Sequence, residues 1–294
     1  MWSRILTSAV VAAVVLLAPT AALPDKADTS RIVSIGSSVT ETLYALGVED
    51  KIVAVDTTSI HPPRALEDKA SVGYMRRLSP EGVISVGPSV IFAIEGAGPP
   101  SALDVLRQGQ INVVTIKNET TARGAISKVQ QIAALVGKDT EGSAIAERIS
   151  QSLKALETKL TEVKEQKSVL FLLSTQSGRL VVGGQKTSAD AIIRLAGAAN
   201  AVTSFHGYKQ VSLEALSGMK PDAILIMQRS GHSLKPEELL TNPVIAKTPA
   251  GQNKHIIAMD GAYLLGFGPR VADAARDLAS QIYPDLKIPD PSTN

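Results

Sequence analysis

The segment 71–81 holds the residue types best suited to chemistry, a tyrosine closely followed by two arginines. The phenolate of Tyr74 could bind a ferric ion, but a free phenol has a pKa of about 10. Ionisation near neutral pH therefore needs positive charge close by, which ferric iron and the guanidinium groups of Arg76 and Arg77 would supply. The segment predicts an oxygen ligand for iron with two arginines beside it.

Two general properties of these residue types would also suit haem iron. Tyrosine oxygen is one of the known axial ligands of haem iron. The forked guanidinium groups of Arg76 and Arg77 match a carboxylate, so they could pair with haem propionates. The alternative is that Tyr74 is a surface side chain that only packs against its neighbours.

Other residues that could do chemistry give weaker signals. Ser37 and Ser38 lie in a strand-to-helix turn, but the run after Gly36 lacks the trailing glycine of a nucleophile elbow. We expect the two serines to cap the helix, with Glu41 in its first turn. The histidines show no metal-binding spacing (His61, His206, His232, His255). We predict that the protein is not an enzyme; a secreted serine hydrolase and a metal-ion binder are the rival hypotheses.

The composition is that of an ordinary globular protein. The chain has 294 residues, of which 44% are hydrophobic and 20% are charged, and its formal net charge is +2. Such a small basic excess cannot neutralise a phosphate backbone, so we predict no binding to nucleic acid. The chain has no cysteine, which excludes disulfides, iron–sulfur clusters and thiolate metal sites.

The first 24 residues predict export. A positive Arg4 precedes the apolar stretch 5–18, and small residues follow before Pro24. This order is typical of a cleavable secretory signal, and the apolar stretch is short for a membrane span. No cysteine follows it, so we predict a soluble periplasmic protein rather than a lipoprotein. The alternative is an uncleaved anchor helix.

Short apolar runs alternate with helical patterns along the rest of the chain. Strands are predicted at 31–35, 52–55, 90–94, 112–116, 169–173, 180–182, 223–227 and 256–259. Between the fourth and fifth of these, residues 140–166 lack proline and carry apolar side chains at helical spacing, which predicts one long amphipathic helix. No internal repeat stands out.

Strands separated by helices imply parallel pairing, with ligands bound at the carboxyl ends of the strands. We therefore predict an α/β protein of two Rossmann-like lobes with mainly parallel sheets, joined by one long helix and with a ligand cleft between the lobes. The predicted boundaries are 30–138 for the N-terminal lobe, 139–166 for the linking helix and 167–286 for the C-terminal lobe.

Four runs carry a resemblance to a known family. They are 31–47 (RIVSIGSSVTETLYALG), 72–82 (VGYMRRLSPEG), 95–100 (EGAGPP) and 265–270 (LGFGPR). They resemble the substrate-binding proteins of cluster A-II, also called class III, and within that family the periplasmic haem-binding proteins of bacterial ABC importers. The first run is shared with siderophore and cobalamin binders, whereas the second and third point to haem. The resemblance covers nearly all of the chain after the leader.

The resemblance implies capture of ferric haem in the cleft and its delivery to an ABC permease and its ATPase; for such a shuttle we expect a monomer. Tyr74 matches the axial iron ligand, and Arg76 an arginine that hydrogen-bonds the phenolate oxygen. Arg229 matches an arginine that meets the haem from the other lobe. No histidine matches the second axial ligand of some members, so we expect five-coordinate or water-ligated iron. His206 and His232 are less favoured candidates for this second axial ligand.

The resemblance also implies carboxylates that dock the protein onto arginines of the permease. Glu214 matches the one in the C-terminal lobe. For the N-terminal lobe we predict Glu95, with Glu81 as the alternative. The competing function within the same fold is a carrier of ferric siderophores or cobalamin.

Overall fold

The structure, a computed structural model, describes residues 28–176, 179–228 and 234–289. The predicted signal at 1–24, Arg229 and His232 lie outside these residues. The described part of the chain forms two β-sheets with helices around them, as the predicted fold class requires. Among its helices, none combines the length and apolar character that a membrane crossing needs.

The N-terminal lobe contains a parallel sheet of five strands. The strands are β1 (Ile32–Ile35), β2 (Ile52–Val55), β3 (Ala70–Ser71), β4 (Val90–Ile94) and β5 (Asn112–Ile116). Their order is β3-β2-β1-β4-β5. The helices are α1 (Ser37–Ala45), α2 (Arg64–Asp68), α3 (Pro80–Ile84), α4 (Pro100–Gln108) and α5 (Ala122–Val136). Every residue of β1 and β4 is buried, as expected for central strands of a parallel sheet.

The predicted long helix is α6 (Asp139–Leu160), with 22 residues. Its buried face is the apolar stripe seen in the sequence, including Ile145, Ile149 and Leu156. The helix ends at Leu160, and a turn follows it. Val163, the last apolar residue of the predicted stripe, packs against the core from beyond this turn.

The C-terminal lobe contains a mixed sheet. Its strands are β6 (Ser168–Gln176), β7 (Arg179–Gly183), β8 (Ala199–Asn200), β9 (Tyr208–Val211), β10 (Ala223–Gln228) and β11 (Ile256–Asp260). The order is β11-β10-β6-β7-β9, and β8 pairs with β6. Strands β7 and β9 are antiparallel to their neighbours, because β7 follows β6 in a hairpin without a crossover helix.

The helices of the C-terminal lobe lie between and after these strands. They are α7 (Ser188–Leu195), α8 (Leu213–Met219), α9 (Pro236–Leu240), α10 (Pro243–Lys247), α11 (Pro249–Gln252), α12 (Gly261–Leu265) and α13 (Val271–Ile282). The linking helix α6 packs on α5 of the first lobe and on α13 of the second. One apolar core therefore runs from the N-terminal sheet through α6 into the C-terminal lobe. A second cluster of buried side chains lies within the C-terminal lobe.

One supersecondary unit occurs in both lobes. Residues 79–94 form α3 and β4, and residues 212–227 form α8 and β10. In each copy a serine side chain caps the helix, and a residue with positive φ and then a proline lead into a central strand. The two copies share few identical residues, so the similarity lies mainly in the backbone.

The start of α1 also differs from the prediction. Ser37 and Ser38 do not cap the helix; the N-cap residue is Gly36, with a φ of 109°, and no side chain bonds to the helix end there. Glu41 lies beyond the first turn. The turn is fixed from outside the helix, because the backbone N–H of Gly36 donates to Oδ1 of Asp56 at 2.8 Å.

This turn gives a prediction for stability. A methyl group at Gly36 would lie 2.6 Å from Cγ2 of Ile94, and its φ of 109° disfavours any L side chain. We expect Gly36→Ala to lower the free energy of unfolding by about 3 kcal/mol. Gly218→Ala in α8, where nothing lies within 4 Å, should leave it nearly unchanged or slightly raised. Urea denaturation measures both, and equal losses would contradict the argument.

Candidate ligand-binding site

Tyr74 lies in the loop after β3, at the carboxyl edge of the N-terminal sheet. In open parallel sheets this is the edge at which ligands bind. Tyr74 is 37% exposed, although it is a large side chain with much apolar surface. Arg76 and Arg77 are also exposed. All three side chains are therefore accessible to a ligand from solvent.

The backbone around Tyr74 forms a tight turn that is fixed on the β2 side. The backbone N–H of Arg77 donates to the carbonyl of Tyr74 at 2.8 Å, which closes the turn. Just before it, the N–H of Thr57 donates to the carbonyl of Gly73 at 2.9 Å. The turn thus continues the pairing between β2 and β3.

The other side of the turn is held by the segment that leads into α4. The N–H of Gly98 donates to the carbonyl of Met75 at 2.8 Å, and the N–H of Leu78 donates back to Gly98 at 3.0 Å. The side chain of Met75 packs against the core of the lobe. Met75 therefore points inward and anchors a turn whose neighbouring side chains remain exposed.

At the carboxyl edge of the C-terminal sheet, residues 177–178 and 229–233 lie outside the described part of the chain. Arg179, at the start of β7, lines a cavity of about 410 Å³ together with residues 210–214. His206 is exposed, and its backbone forms an isolated bridge with Gln185. Within the described ranges, no three His, Asp or Glu side chains are grouped so as to hold a metal ion.

A buried lysine joins the two lobes. Lys128, in α5, is 1% exposed. Its Nζ donates to Oγ of Ser38 at 3.1 Å and to Oδ1 of Asn118 at 2.8 Å, both in the N-terminal lobe. It also donates to the carbonyls of Gly266 at 3.3 Å and Phe267 at 3.2 Å, in the C-terminal lobe. Burial lowers the pKa of Lys128 to about 8, so it remains mostly protonated at neutral pH.

An ion pair forms the second polar contact between the lobes. Arg270 donates to Glu41 through Nε at 2.9 Å and through Nη2 at 2.8 Å. The two side chains are 30% and 11% exposed, so water screens the pair less than a surface salt bridge. Arg270 also lies over the ring of Tyr263, 4.7 Å from its centroid. Burial, with the positive charge of Arg270, lowers the pKa of His61 beside this pair.

Sequence reasoning missed these contacts. Lys128 carried one usable signal: it lies on the buried face of α5 among apolar residues, where a lone lysine needs partners. Its partners in the C-terminal lobe are 138 and 139 residues away along the chain, so no local pattern could name them. Arg270 ends one of the four runs that carry the family resemblance, but its pairing with Glu41 was not predicted.

Ser38 and Lys128 are close enough to suggest the serine–lysine pair of some hydrolases. Ser38 is only 5% exposed, however. Gly268 of the other lobe packs on it so closely that an added Cβ would lie 3.2 Å from Cβ of Ser38. The buried position of this serine does not favour the hydrolase hypothesis.

Glu81 and Glu214 occupy equivalent places in the repeated unit. Each is exposed, in the first turn of a short helix after the capping serine. Hydrogen bonds from its own backbone and from Ser79 lower the pKa of Glu81. Those from Ser212 and its own backbone lower the pKa of Glu214. Both are therefore ionised, accessible carboxylates.

The chain is similar to solved structures along most of its length. The periplasmic heme-binding protein HutB of Vibrio cholerae is 37% identical, with 87% of this chain and 100% of that chain covered and a TM-score of 0.79. The periplasmic heme-binding protein RhuT from Roseiflexus sp. RS-1, in apo form, is 30% identical, with 88% and 100% covered and a TM-score of 0.82.

Curated relatives are more distant in sequence. The uncharacterized ABC transporter substrate-binding lipoprotein YvrC of Bacillus subtilis (strain 168) is 25% identical, with 88% of this chain and 82% of the relative covered. A vitamin B12-binding protein of Vibrio cholerae is 23% identical, with 86% and 88% covered. The family model described as periplasmic binding protein matches residues 32–263. The family prediction is confirmed: the chain belongs to the periplasmic binding protein family.

Proposed function

We propose that this protein captures ferric haem in the cleft between its lobes and delivers it to an ABC permease of the inner membrane. The observation that carries the proposal is the exposed turn at Tyr74 and Arg76, fixed at the ligand-binding edge of the N-terminal sheet. HutB and RhuT, which are named as haem-binding, support the choice of ligand. YvrC, named as an ABC transporter substrate-binding protein, supports the partner.

Each residue of the site has a defined task in this proposal. Tyr74 binds the iron through its phenolate oxygen, and Arg76 stabilises that charge by hydrogen bonding. Arg77 pairs with a propionate of the porphyrin. Arg229, outside the described residues, meets the haem from the C-terminal lobe. Apolar side chains of both lobes cover the porphyrin faces and remove apolar area from water.

The contacts at Lys128 and Arg270 limit how the cleft opens. They tie the loop before α13 to α1 and α5 through hydrogen bonds and a shielded ion pair. Wide hinge motion would break all of these contacts together, so we propose small lobe movements on haem binding. The family is one of binding proteins, and we propose no catalytic step.

A titration with two ligands tests the choice of cargo. We expect haemin to give a shifted Soret band that saturates with the protein, whereas cyanocobalamin should leave its own spectrum unchanged. The cobalamin hypothesis has support from the vitamin B12-binding relative. Saturable binding of cyanocobalamin together with failure to bind haemin would favour it instead. A ferric siderophore added in the same assay tests the remaining alternative ligand.

Glu81 and Glu214 are the carboxylates that we propose for docking. They are equivalent in the repeated unit, so one permease with two similar halves could bind both in the same way. Glu95 remains the alternative in the N-terminal lobe, but its counterpart in the repeat is the neutral Gln228. The exposed Glu237 in α9 lies outside the repeated unit and is not proposed for docking.

Charge reversal tests this assignment. We expect Glu81→Lys and Glu214→Lys each to reduce stimulation of the transporter's ATPase by at least about 10-fold, because each puts a positive charge opposite permease arginines. Haem binding should stay normal. Glu237→Lys is the matched control and should have little effect. If Glu95→Lys reduces stimulation of the ATPase and Glu81→Lys does not, Glu95 is the docking residue of the N-terminal lobe.

We propose that residues 1–24 are removed on export and that the protein acts as a periplasmic monomer. We also propose that the lobes and linking helix divide at 30–138, 139–166 and 167–286, as the sequence suggests. Limited proteolysis of the mature protein would test this division by where the first cuts fall.

A further inference from the structure

We propose that Asp56 is a positioning residue for the iron-binding tyrosine: its buried carboxylate, through Thr57 and Thr58, fixes the turn that presents Tyr74. The inference rests on the haem-binding function proposed above. Asp56 directly follows β2 and is fully buried. Because the side chain is buried, its effect on haem would be indirect.

The carboxylate of Asp56 has an unusually complete set of hydrogen bonds. Oδ1 accepts from the N–H of Gly36 at 2.8 Å and from Oγ of Ser59 at 3.0 Å. Oδ2 accepts from the N–H of Thr58 at 2.9 Å and from its Oγ1 at 2.7 Å. All four donors are neutral, and each carboxylate oxygen accepts two hydrogen bonds. A buried carboxylate held in this way fixes the surrounding backbone.

The fixed segment contacts the residues on both sides of Tyr74. On one side, the N–H of Thr57 donates to the carbonyl of Gly73 at 2.9 Å. On the other side, Oγ1 of Thr58 lies 3.9 Å from Sδ of Met75. The carboxylate therefore bonds Thr58 directly and fixes the backbone of the adjoining Thr57. Thr57 hydrogen-bonds one neighbour of the tyrosine, and Thr58 lies against the other.

A metal ligand works well only when the residues behind it fix its direction, and loss of such support commonly weakens metal binding by 10- to 100-fold. Asparagine at position 56 would keep the oxygen that faces Gly36 and Ser59. Its NH₂ group could not accept from the backbone and hydroxyl of Thr58. The threonine segment would then loosen, and with it the turn at Tyr74.

The main experiment compares Asp56→Asn with wild type at saturating haemin. We expect the haem dissociation rate to rise about 10-fold and the phenolate-to-iron charge-transfer band to weaken. Asp190→Asn is the matched control, since Asp190 is a buried carboxylate of the C-terminal lobe that accepts from Asn200 at 3.0 Å and Arg194 at 3.2 Å. It should lower stability but leave the haem spectrum unchanged. The same spectral change in Asp190→Asn would overturn the inference.

Thr58 provides a second test that does not depend on the folding of Asp56→Asn. Thr58→Val removes the hydroxyl with little change in shape and should also weaken the charge-transfer band. Thr58→Ser keeps the hydroxyl and should restore it. In a Tyr74→Phe background, Asp56→Asn and Thr58→Val should cause no further increase in haem dissociation, because they act through the tyrosine.

The outcomes separate this inference from the function on which it rests. If Tyr74→Phe weakens haem binding but Asp56→Asn and Thr58→Val leave rate and spectrum unchanged, the positioning role is wrong and the proposed function stands. Additive effects in the Tyr74→Phe background would also overturn the positioning role. If Tyr74→Phe binds haem as wild type does, the tyrosine ligand and the inference both fail.

Discussion

Tyr74→Phe is expected to weaken haem binding by at least about 100-fold, which corresponds to about 3 kcal/mol. The substitution removes only the phenol oxygen, so the turn and its backbone hydrogen bonds should persist. Iron would lose its protein ligand, and only contacts with the porphyrin would remain. Haemin titration followed at the Soret band gives the affinity, and the visible spectrum should lose the band of the phenolate complex.

Tyr208→Phe is the matched control for this change. Tyr208, in β9, is 39% exposed, close to the 37% of Tyr74. Its hydroxyl lies 3.2 Å from Oγ of Ser188 and has no assigned role in the cleft. We expect haem binding to stay within about 3-fold of wild type, at most about half of a tenfold step in free energy. Equal losses in both variants would show that general damage, and not iron ligation, explains the result.

Glu41→Gln is expected to lower the free energy of unfolding by about 3 kcal/mol at pH 7. The carboxylate of Glu41 pairs with Arg270 and also favours the charged form of Lys128. Its neutralisation would leave two shielded positive charges at the contact between the lobes. Urea denaturation at several pH values measures the effect.

The loss of stability in Glu41→Gln should be larger below about pH 8 than above it. The pKa of Lys128 is lowered to about 8 in the folded protein, against about 10.4 in an unfolded chain. Below about pH 8 the folded protein carries the lysine charge that Glu41 stabilises, so the difference between wild type and Glu41→Gln is largest there. As the pH rises past about 8 the folded protein loses this charge, and the difference should shrink.

A surface ion pair serves as the control for Glu41→Gln. Glu49 accepts from Arg64 at 2.8 Å, with side chains that are 28% and 55% exposed. Glu49→Gln should lower the free energy of unfolding by less than about 1 kcal/mol, because exposed pairs contribute little. A loss at Glu41 no larger than at Glu49 would argue against a tight contact between the lobes.

Much of the fold could be predicted because buried parallel strands appear as short, uninterrupted apolar runs. The bounds of β2, β4 and β5 agree with the predicted 52–55, 90–94 and 112–116. The stripe of α6 was equally clear, since its buried residues follow the helical period. These features depend on the local sequence alone.

Features that depend on distant residues could not be predicted in this way. Gly36 replaces the expected serine cap because Asp56 holds the turn from another strand. Two of the four partners of Lys128, and the partner of Glu41, lie in a different lobe. For the site, residue types alone led to the proposal of Tyr74 with Arg76 and Arg77 beside it, which stays a prediction. The hydrogen bonds that join Asp56, Thr58 and the turn became visible only when β2 and β3 were paired.

The shared core has a consequence for how the chain is made. Phe267 is buried in the same apolar cluster as the strands of the first lobe, and its carbonyl accepts from Lys128. The N-terminal lobe is synthesised well before Phe267 leaves the ribosome. The N-terminal lobe therefore cannot bury all of its apolar core until the chain is nearly complete. Completion of the N-terminal core thus depends on a segment that is synthesised near the end of the chain.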